Sequence, residues 1–190
     1  MQTVTRRGME ELLAALEAIR RSPADGGRLE LIVRRPAVDQ REVLDEGQLD
    51  PGHGLVGDNW RAKPSSRTPD RSPHPDMQLN VMNARVIDLL AGSRERWALA
   101  GDQLYVDLDL AAANLPAGTR LRIGSAVIEV TAQPHTGCEK FVERFGLDAL
   151  KFVNSAEGRR MNLRGINARV VVPGTVRVGD RVTKETHGGN

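Results

Sequence analysis

The residue of this chain with the most evident chemistry is its only cysteine, Cys138, which lies in the run QPHTGCEKF at residues 133–141. A strand-like segment precedes this run and a helix-like segment follows it. A thiol at the first turn of a helix meets unpaired backbone N–H groups and the positive end of the helix dipole, which favour the thiolate. A thiolate can attack an electrophile, carry sulfur or bind a soft metal.

The alternative for Cys138 is burial, because a free cysteine usually behaves as a small hydrophobe inside the core. Its neighbours in the run are polar or small: His135, Thr136, Gly137 and Lys140. This local composition predicts a partly open loop that leaves the thiol accessible.

Length and cysteine content place the chain in a broad class. Its 190 residues are enough for one domain with a proper core. A single cysteine excludes an intramolecular disulfide, which fits a reducing compartment. The start of the chain has no apolar signal region, and no run of 18 apolar residues occurs. We therefore expect a soluble, cytoplasmic protein without a membrane partner.

The charge of the chain says little about its partners. It has 27 basic and 25 acidic residues, a formal net charge of +2, although the pI is about 9.0. Aromatic residues that could stack on bases are few, and no nucleic-acid-binding motif is recognisable, so we expect no nucleic-acid partner. The arginines can instead bind a small anion such as a phosphate, or simply form a solvated surface.

The first third of the chain predicts a helix followed by strands. Residues 8–21 carry apolar side chains at helical spacing and end with two arginines, which suit a helix C-terminus. Residues 28–35 form a strand rich in branched side chains that Pro36 ends. A second strand is expected near residues 40–44.

Residues 50–76 contain many prolines and few apolar side chains, which predicts a long loop. A loop of this length in a compact domain is commonly a lid, a binding loop or a disordered excursion. Two of the four histidines, His53 and His74, lie in it. Their spacing matches no compact metal-ligand pattern, so we do not expect them to form a metal site.

A strand and a short helix are predicted over residues 78–90. Residues 101–110 alternate in their second half, which places Tyr105, Asp107 and Asp109 on one face. Carboxylates at this spacing could do acid or base chemistry, but we favour the reading that they form the solvated face of a strand.

A short internal sequence repeat indicates a β-barrel architecture. Residues 116–127 are nearly repeated at residues 173–182, and each copy reads as a β-hairpin with a tight Gly-Ser or Gly-Asp turn. Two such hairpins among short strands predict a closed barrel, because closure removes exposed edges. Between them, the stripe formed by Phe141, Val142 and Phe145 predicts a helix that packs on the barrel and stops at Gly146.

In order and spacing, these segments resemble the MOSC domain, named for the C-terminal domain of molybdenum cofactor sulfurases. The resemblance covers roughly residues 28–183. The matching motifs are GLVGD at 54–58, GDQLYV at 101–106, the Cys138 loop, RGINARV at 164–170 and PGTVRVGD at 173–180. It implies a mainly β fold, a MOSC-type β-barrel with a few peripheral helices, over 28–183. Outside this range we expect an N-terminal amphipathic helix and turn (1–27) and a flexible tail (184–190).

The resemblance also implies that Cys138 carries sulfur or ligates the molybdenum of a molybdopterin cofactor. Such a cofactor needs cationic groups for its phosphate and hydrogen-bonding partners for its ring edge. The candidates are Lys140, Arg164, Asn167, Arg169, Asp58 and Asn80. For Asp58, Asn80 and Asn167 a structural role is slightly favoured.

Two departures limit what can be transferred. Many stand-alone relatives have a paired-histidine stretch where this chain has residues 72–80, SPHPDMQLN. The chain also lacks the pyridoxal-phosphate-dependent desulfurase domain associated with the wider family. Sulfur, if used, is therefore expected from a partner such as a cysteine desulfurase.

Two functions remain open. In the first, the protein is a molybdenum cofactor enzyme that reduces a small N-hydroxylated substrate with electrons from a partner protein. In the second, it is a sulfur-carrier or cofactor-delivery module that uses a Cys138 persulfide and has no catalytic activity of its own. A third reading keeps the fold without the chemistry.

Overall fold

The computed structural model describes residues 6–185. Within this range the α-helices are α1 (Met9–Ala14), α2 (Leu16–Arg20), α3 (Ala84–Ala91), α4 (Glu139–Phe145), α5 (Leu147–Asn154) and α6 (Ala156–Arg160). The strands are β1 (Gly27–Arg34), β2 (Glu42–Leu44), β3 (Glu46–Asp50), β4 (Gly54–Leu55), β5 (Leu79–Asn83), β6 (Leu104–Asp107), β7 (Arg120–Ile123), β8 (Ala126–Val130), β9 (Ile166–Val172), β10 (Gly174–Arg177) and β11 (Arg181–Lys184). Short 3₁₀ helices lie at Asn59–Ala62, Pro75–Met77 and Arg94–Ala100.

Seven of these strands form a closed barrel in the order β11-β7-β8-β9-β5-β6-β1, because β1 pairs with both β6 and β11. Neighbouring strands in the barrel are antiparallel except β5 and β6, which are parallel and joined by a crossover through α3. β2 pairs with β1 outside the closed ring. The predicted mainly β fold, a barrel with a few peripheral helices, is confirmed.

A smaller sheet of order β10-β3-β4 lies beside the barrel. It corrects one of the two predicted hairpins. β7 and β8 pair as predicted for 116–127, but β10 pairs with β3 while β11 pairs with β7 and β1. The turn after β10 is held by other partners, since Val178 donates its N–H to Asp45 and Gly179 donates to Leu29. The chain therefore passes from the smaller sheet at β10 to the barrel at β11, and these two strands do not form a hairpin.

Two apolar clusters flank the wall formed by β1, β5 and β6. The barrel interior includes Leu29 and Ile32 of β1, whereas Leu31 and Val33 of the same strand belong to the cluster under the helices. A shift in register between Leu29 and Leu31 where β1 pairs with β6 accounts for the interrupted alternation. Because apolar side chains cover both faces of this wall, the helices that carry site residues pack against a rigid surface.

The N-terminal helix that the sequence predicts is divided into two shorter helices. The helix expected over residues 8–21 is divided at Ala15 into α1 and α2. Leu12 and Ile19 nevertheless bury as helical spacing requires. No helix within residues 6–185 is long and apolar enough to cross a membrane. The predicted tail lies outside the described residues from position 186 onward, and β11 includes Lys184.

The predicted solvated face of residues 101–110 is wrong. Tyr105 is fully buried and donates its hydroxyl to the Trp97 carbonyl, because α3 and its neighbours cover this side of β6. Asp107 is partly buried in an ion pair with Arg85. Asp109 lies beyond the end of the strand. The segment 50–76 is largely irregular, as predicted, but it also contains β4 and a 3₁₀ helix.

Candidate functional site

Cys138 lies immediately before α4, at the end of an irregular segment that follows β8. Its backbone is extended and occupies the N-cap position, and its side chain makes no capping hydrogen bond. The thiol is exposed, as the sequence predicts. Phe141 and Phe145 of the same helix pack 4.8 Å apart in the core beneath it. The sequence thus builds a helix with an anchored apolar face and an accessible thiol at its start.

The loop before Cys138 is fastened by Asn154 at the end of α5. The Gly137 N–H donates to Asn154 Oδ1 at 3.1 Å, and Asn154 Nδ2 donates to the Gly137 carbonyl at 3.3 Å. Both backbone groups next to the cysteine are therefore satisfied by one side chain. This contact fixes the backbone that presents the thiol.

His135, three residues before Cys138, belongs to a buried charged cluster with Asp102 and Arg164. Arg164 donates through Nη1 to both Asp102 oxygens at 3.0 and 2.8 Å, and His135 Nε2 is 2.9 Å from Asp102 Oδ1. Arg164 also donates to the Ala100 carbonyl, and its guanidinium lies 5.0 Å from the centre of the Phe141 ring. The cluster therefore joins the start of β6, the Cys138 loop and α4.

Electrostatics fixes the protonation of this cluster. Burial opposes the charge of Asp102, but Arg164 and the His135 hydrogen bond more than offset it and hold its pKa below the usual range. Burial and the Arg164 charge lower the pKa of His135. An ionised Asp102 can only accept, so a neutral His135 must donate from Nε2. Its Nδ1 then carries a lone pair.

A cleft of about 280 Å³ lies beside the same loop. We call it the basic cleft. Among its lining residues are Arg35, Trp60, Lys63, Arg67, His74 and Asn80. The Arg67 guanidinium donates to Gln133 Oε1 at 3.1 Å, which joins the wall of the cleft to the segment leading to Cys138. The wall of the cleft thus contacts the start of the segment that leads to the thiol.

The cations of the basic cleft are only partly neutralised. Arg35 forms a bidentate pair with the buried carboxylate of Asp58 at 2.8 Å. Lys63 is exposed and has no carboxylate partner among the described residues, and desolvation at the cleft wall together with the Arg35 charge lowers its pKa. Arg41 does not line the cleft, but burial, Arg144 and Arg35 lower its pKa as well, and its Nε is buried without a partner in the described chain. An anion placed here would relieve this mutual repulsion.

A line of amides connects the basic cleft to the thiol loop. Arg35 donates to Asn80 Oδ1 at 3.2 Å, and Asn80 Nδ2 donates to Asn167 Oδ1 at 2.7 Å. Asn167 in turn donates to the carbonyls of Gln133 and Pro134. Asn80 and Asn167 therefore support the wall of the site, and Asp58 is engaged by Arg35.

The remaining predicted residues have different surroundings. Arg164 is buried against Asp102. Lys140 is exposed and pairs with Asp39 at 3.1 Å, in the region of Lys63 and Arg41. Arg169 lies on the barrel surface, where it pairs with Glu129 and Asp76. No contact in the described structure brings Arg169 to the basic cleft.

Sequence reasoning did not select the residues that organise the site most directly: Arg35, Lys63, Asp102 and His135. Arg35 ends the predicted strand 28–35 and was expected, like the other arginines, to be solvated, whereas Lys63 lies in the predicted loop 50–76. Asp102 stood inside a recognised motif, GDQLYV, and His135 stood in the cysteine run. Asp102 lies just before the apolar strand β6, and its place in the GDQLYV motif was the signal available for it.

The fold and the site define a class of protein: a closed β-barrel whose peripheral helices present one exposed thiol beside a cationic cleft. The MOSC domain family model matches residues 70–183. Because this match extends over more than half of the chain, the protein belongs to the MOSC domain family.

Solved structures share the fold at low sequence identity. The YUAD protein from Bacillus subtilis superposes with a TM-score of 0.62 at 18% identity, covering 82% of this chain and 93% of that one. YiiM from Escherichia coli gives a TM-score of 0.54 at 20% identity, covering 86% of this chain and 72% of that one. No curated protein matches significantly.

Proposed function

We propose that the protein binds a molybdopterin cofactor in the basic cleft, with Cys138 as the protein ligand of molybdenum. The observation that carries the proposal is the exposed thiol on a fastened loop whose upstream segment is joined to the cationic cleft through Arg67. A thiolate is a soft donor suited to such a metal, and the cations supply the counter-charge for a phosphate.

The residues present fit this group. Lys63 lines the cleft and lacks an acidic partner among the described residues, so an anion bound there would supply its counter-charge. Its volume of about 280 Å³ lies near the lower end of the roughly 300–1,000 Å³ typical of small-molecule sites. The described residues hold no group of three or more His, Cys, Asp or Glu side chains that could bind a metal. A single cysteine suits a metal whose other ligands come from a cofactor.

In this function the bound cofactor supplies two-electron redox chemistry, and the chain binds and orients it. Reduction of a small N-hydroxylated compound consumes two electrons and two protons and releases water. The electrons come from an electron-transfer partner. The role of Asn154 and His135 is to hold the loop so that the thiol stays at one position.

A second candidate function rests on the exposure of Cys138 itself. An accessible thiol can accept sulfane sulfur from a cysteine desulfurase and pass it on as a persulfide. In that case the protein is a carrier and retains no metal. Cofactor binding predicts that the purified protein retains molybdenum, whereas the carrier function predicts sulfur on Cys138 and no metal.

Elemental analysis and intact mass of the purified chain test the two functions. The wild type, Cys138→Ala and the surface control Lys151→Ala are produced in a host that makes the molybdenum cofactor. Stoichiometric molybdenum in the wild type and the control, lost in Cys138→Ala, is the result expected for cofactor binding. Cyanide-releasable sulfur on Cys138 without metal supports the carrier. An unmodified, metal-free thiol contradicts both.

A further inference from the structure

A second cleft is lined by part of the thiol loop, including His135 and Thr136, and by residues of α5 and α6. It has a volume of about 160 Å³, room for about five water molecules at roughly 30 Å³ each. The residues that matter for its chemistry are His135, Arg159 and Arg164. It shares no lining residue with the basic cleft.

The orientation of His135 makes this cleft a hydrogen-bonding site. Nε2 is committed to Asp102, and Nδ1 makes no hydrogen bond to the described residues. A Cβ built on Gly165 would lie 3.1 Å from His135 Cδ2, so this edge of the ring faces Gly165. Nδ1 is on the opposite edge of the ring, away from Gly165, and His135 lines the second cleft, whereas Gly165 does not. A neutral ring with this tautomer accepts a hydrogen bond there.

The charge of the cleft comes from Arg159. The Arg164 charge is matched by Asp102, whereas Arg159 is exposed and has no acidic partner within residues 6–185. The nearest carboxylate in sequence, Glu157, is engaged by Arg20 and Arg160. Among the described residues, the cleft thus offers one unpaired cation, Arg159, and one acceptor, His135 Nδ1. Arg164 also lines it, and its Nε is a buried donor without a partner in the described chain.

We propose that the second cleft binds a small hydroxycarboxylate, whose carboxylate pairs with Arg159 and whose hydroxyl donates to His135 Nδ1. The Arg159 fork matches a carboxylate, and the fixed lone pair of Nδ1 selects a ligand that carries a donor. The volume limits the ligand to a few heavy atoms. This site is separate from the cofactor site and does not depend on cofactor binding.

Three probes of nearly equal size test the proposal on the full chain from a host without the cofactor: lactate, propionate, which lacks the hydroxyl, and lactamide, which lacks the charge. Calorimetry measures affinity, and NMR of ¹⁵N-histidine-labelled protein reports on Nδ1. We expect saturable lactate binding in the millimolar range, about fivefold weaker binding of propionate and at least tenfold weaker binding of lactamide. Only lactate and lactamide should move the His135 Nδ1 signal.

The neighbouring arginines provide a matched pair of variants. Arg159→Gln should weaken lactate binding about tenfold, whereas Arg160→Gln, which removes an arginine outside the cleft, should leave it unchanged. Equal weakening by both substitutions, equal affinity for lactate and propionate, or no saturable binding of lactate would each overturn the proposal. Because the cofactor is absent from the experiment, these results do not depend on the molybdenum measurements above.

Discussion

His135 Nε2 lies 2.9 Å from Asp102 Oδ1, and this hydrogen bond ties the loop that carries the thiol to a fully buried carboxylate just before β6. The carboxylate is held in turn by Arg164. The position of an exposed, reactive group is therefore set by a charged cluster within the core. Such a cluster is stable only while each of its members keeps its partner.

Arg164→Met should strongly destabilise the protein. It removes the cation that neutralises Asp102 and leaves a buried carboxylate whose remaining contact is His135. Breaking a buried pair in this way costs about 3–5 kcal/mol. Urea unfolding of the variant measures this loss.

Arg169→Met is the matched control for that substitution, since Arg169 forms its ion pairs on the barrel surface. Pairs of this kind contribute about 0–1 kcal/mol. If the two variants lose the same stability, the Asp102 cluster does not have the energetic role assigned to it.

The free energy of unfolding should decrease as the pH is lowered below about 6.5, because of His135. The folded protein holds the pKa of His135 below its ordinary value of 6.5. Below that pH the unfolded chain binds more protons at this residue, so stability is lost as pH falls from about 6.5 towards the folded pKa. The lowered pKa of Asp102 adds a further loss below its ordinary 3.8. Urea unfolding across this pH range measures both.

His135→Gln removes the titrating ring while keeping an N–H that can reach Asp102. We expect this variant to lose the part of the pH dependence that begins near the ordinary His135 pKa and to keep the more acidic part. His53→Gln is the control, because its ring lies on the surface beside Asp50. An unchanged profile in His135→Gln would falsify this assignment.

The barrel was predictable because its strands repeat local patterns. Alternation in 116–127 and the tight turn at Gly124 define the β7–β8 hairpin without distant information. The similar pattern at 173–182 predicted a second hairpin that does not form. The turn between β10 and β11 donates instead to the carbonyls of Asp45 and Leu29, and the two strands pair with other strands. Local turn chemistry specifies a bend but not the sheet that each strand joins.

The site was predictable in part for the same reason. Cys138 could be placed at a helix start and on an open loop from its neighbours in sequence. The ion pair of Asp102 with Arg164 spans 62 positions, and that of Arg35 with Asp58 spans 23. Residues so far apart meet only through the tertiary fold, so their partners could not be read from spacing.

Asn154→Ala should loosen the thiol loop without unfolding the protein. The substitution removes two hydrogen bonds to Gly137, which together contribute about 1–3 kcal/mol. Hydrogen exchange in residues 133–138 should accelerate more than exchange in β8 or β9. Asn114→Ala, which removes hydrogen bonds to the Ala24 and Asp109 carbonyls, is the control. Equal acceleration in both variants would show that Asn154 has no local role.

Lys63→Gln should separate anion binding from stability. The lysine lines the basic cleft without an acidic partner among the described residues, and its pKa is lowered by desolvation and by the Arg35 charge. Its removal should change unfolding free energy by less than about 0.5 kcal/mol. It should weaken binding of inorganic phosphate about tenfold, because a charge-assisted contact is lost.

Lys151→Gln, on the exposed side of α5, is the control for Lys63→Gln, and calorimetry with phosphate at low and physiological salt is the measurement. The difference between the two variants should shrink but persist at about 0.15 M salt, where the Debye length is about 8 Å and contacts inside a cleft are less screened than those on the surface. Phosphate binding that is unchanged in Lys63→Gln would show that the cleft does not use this cation. In that case the cofactor phosphate would have to bind elsewhere on the Cys138 surface, and molybdenum retention by Lys63→Gln would equal that of the wild type.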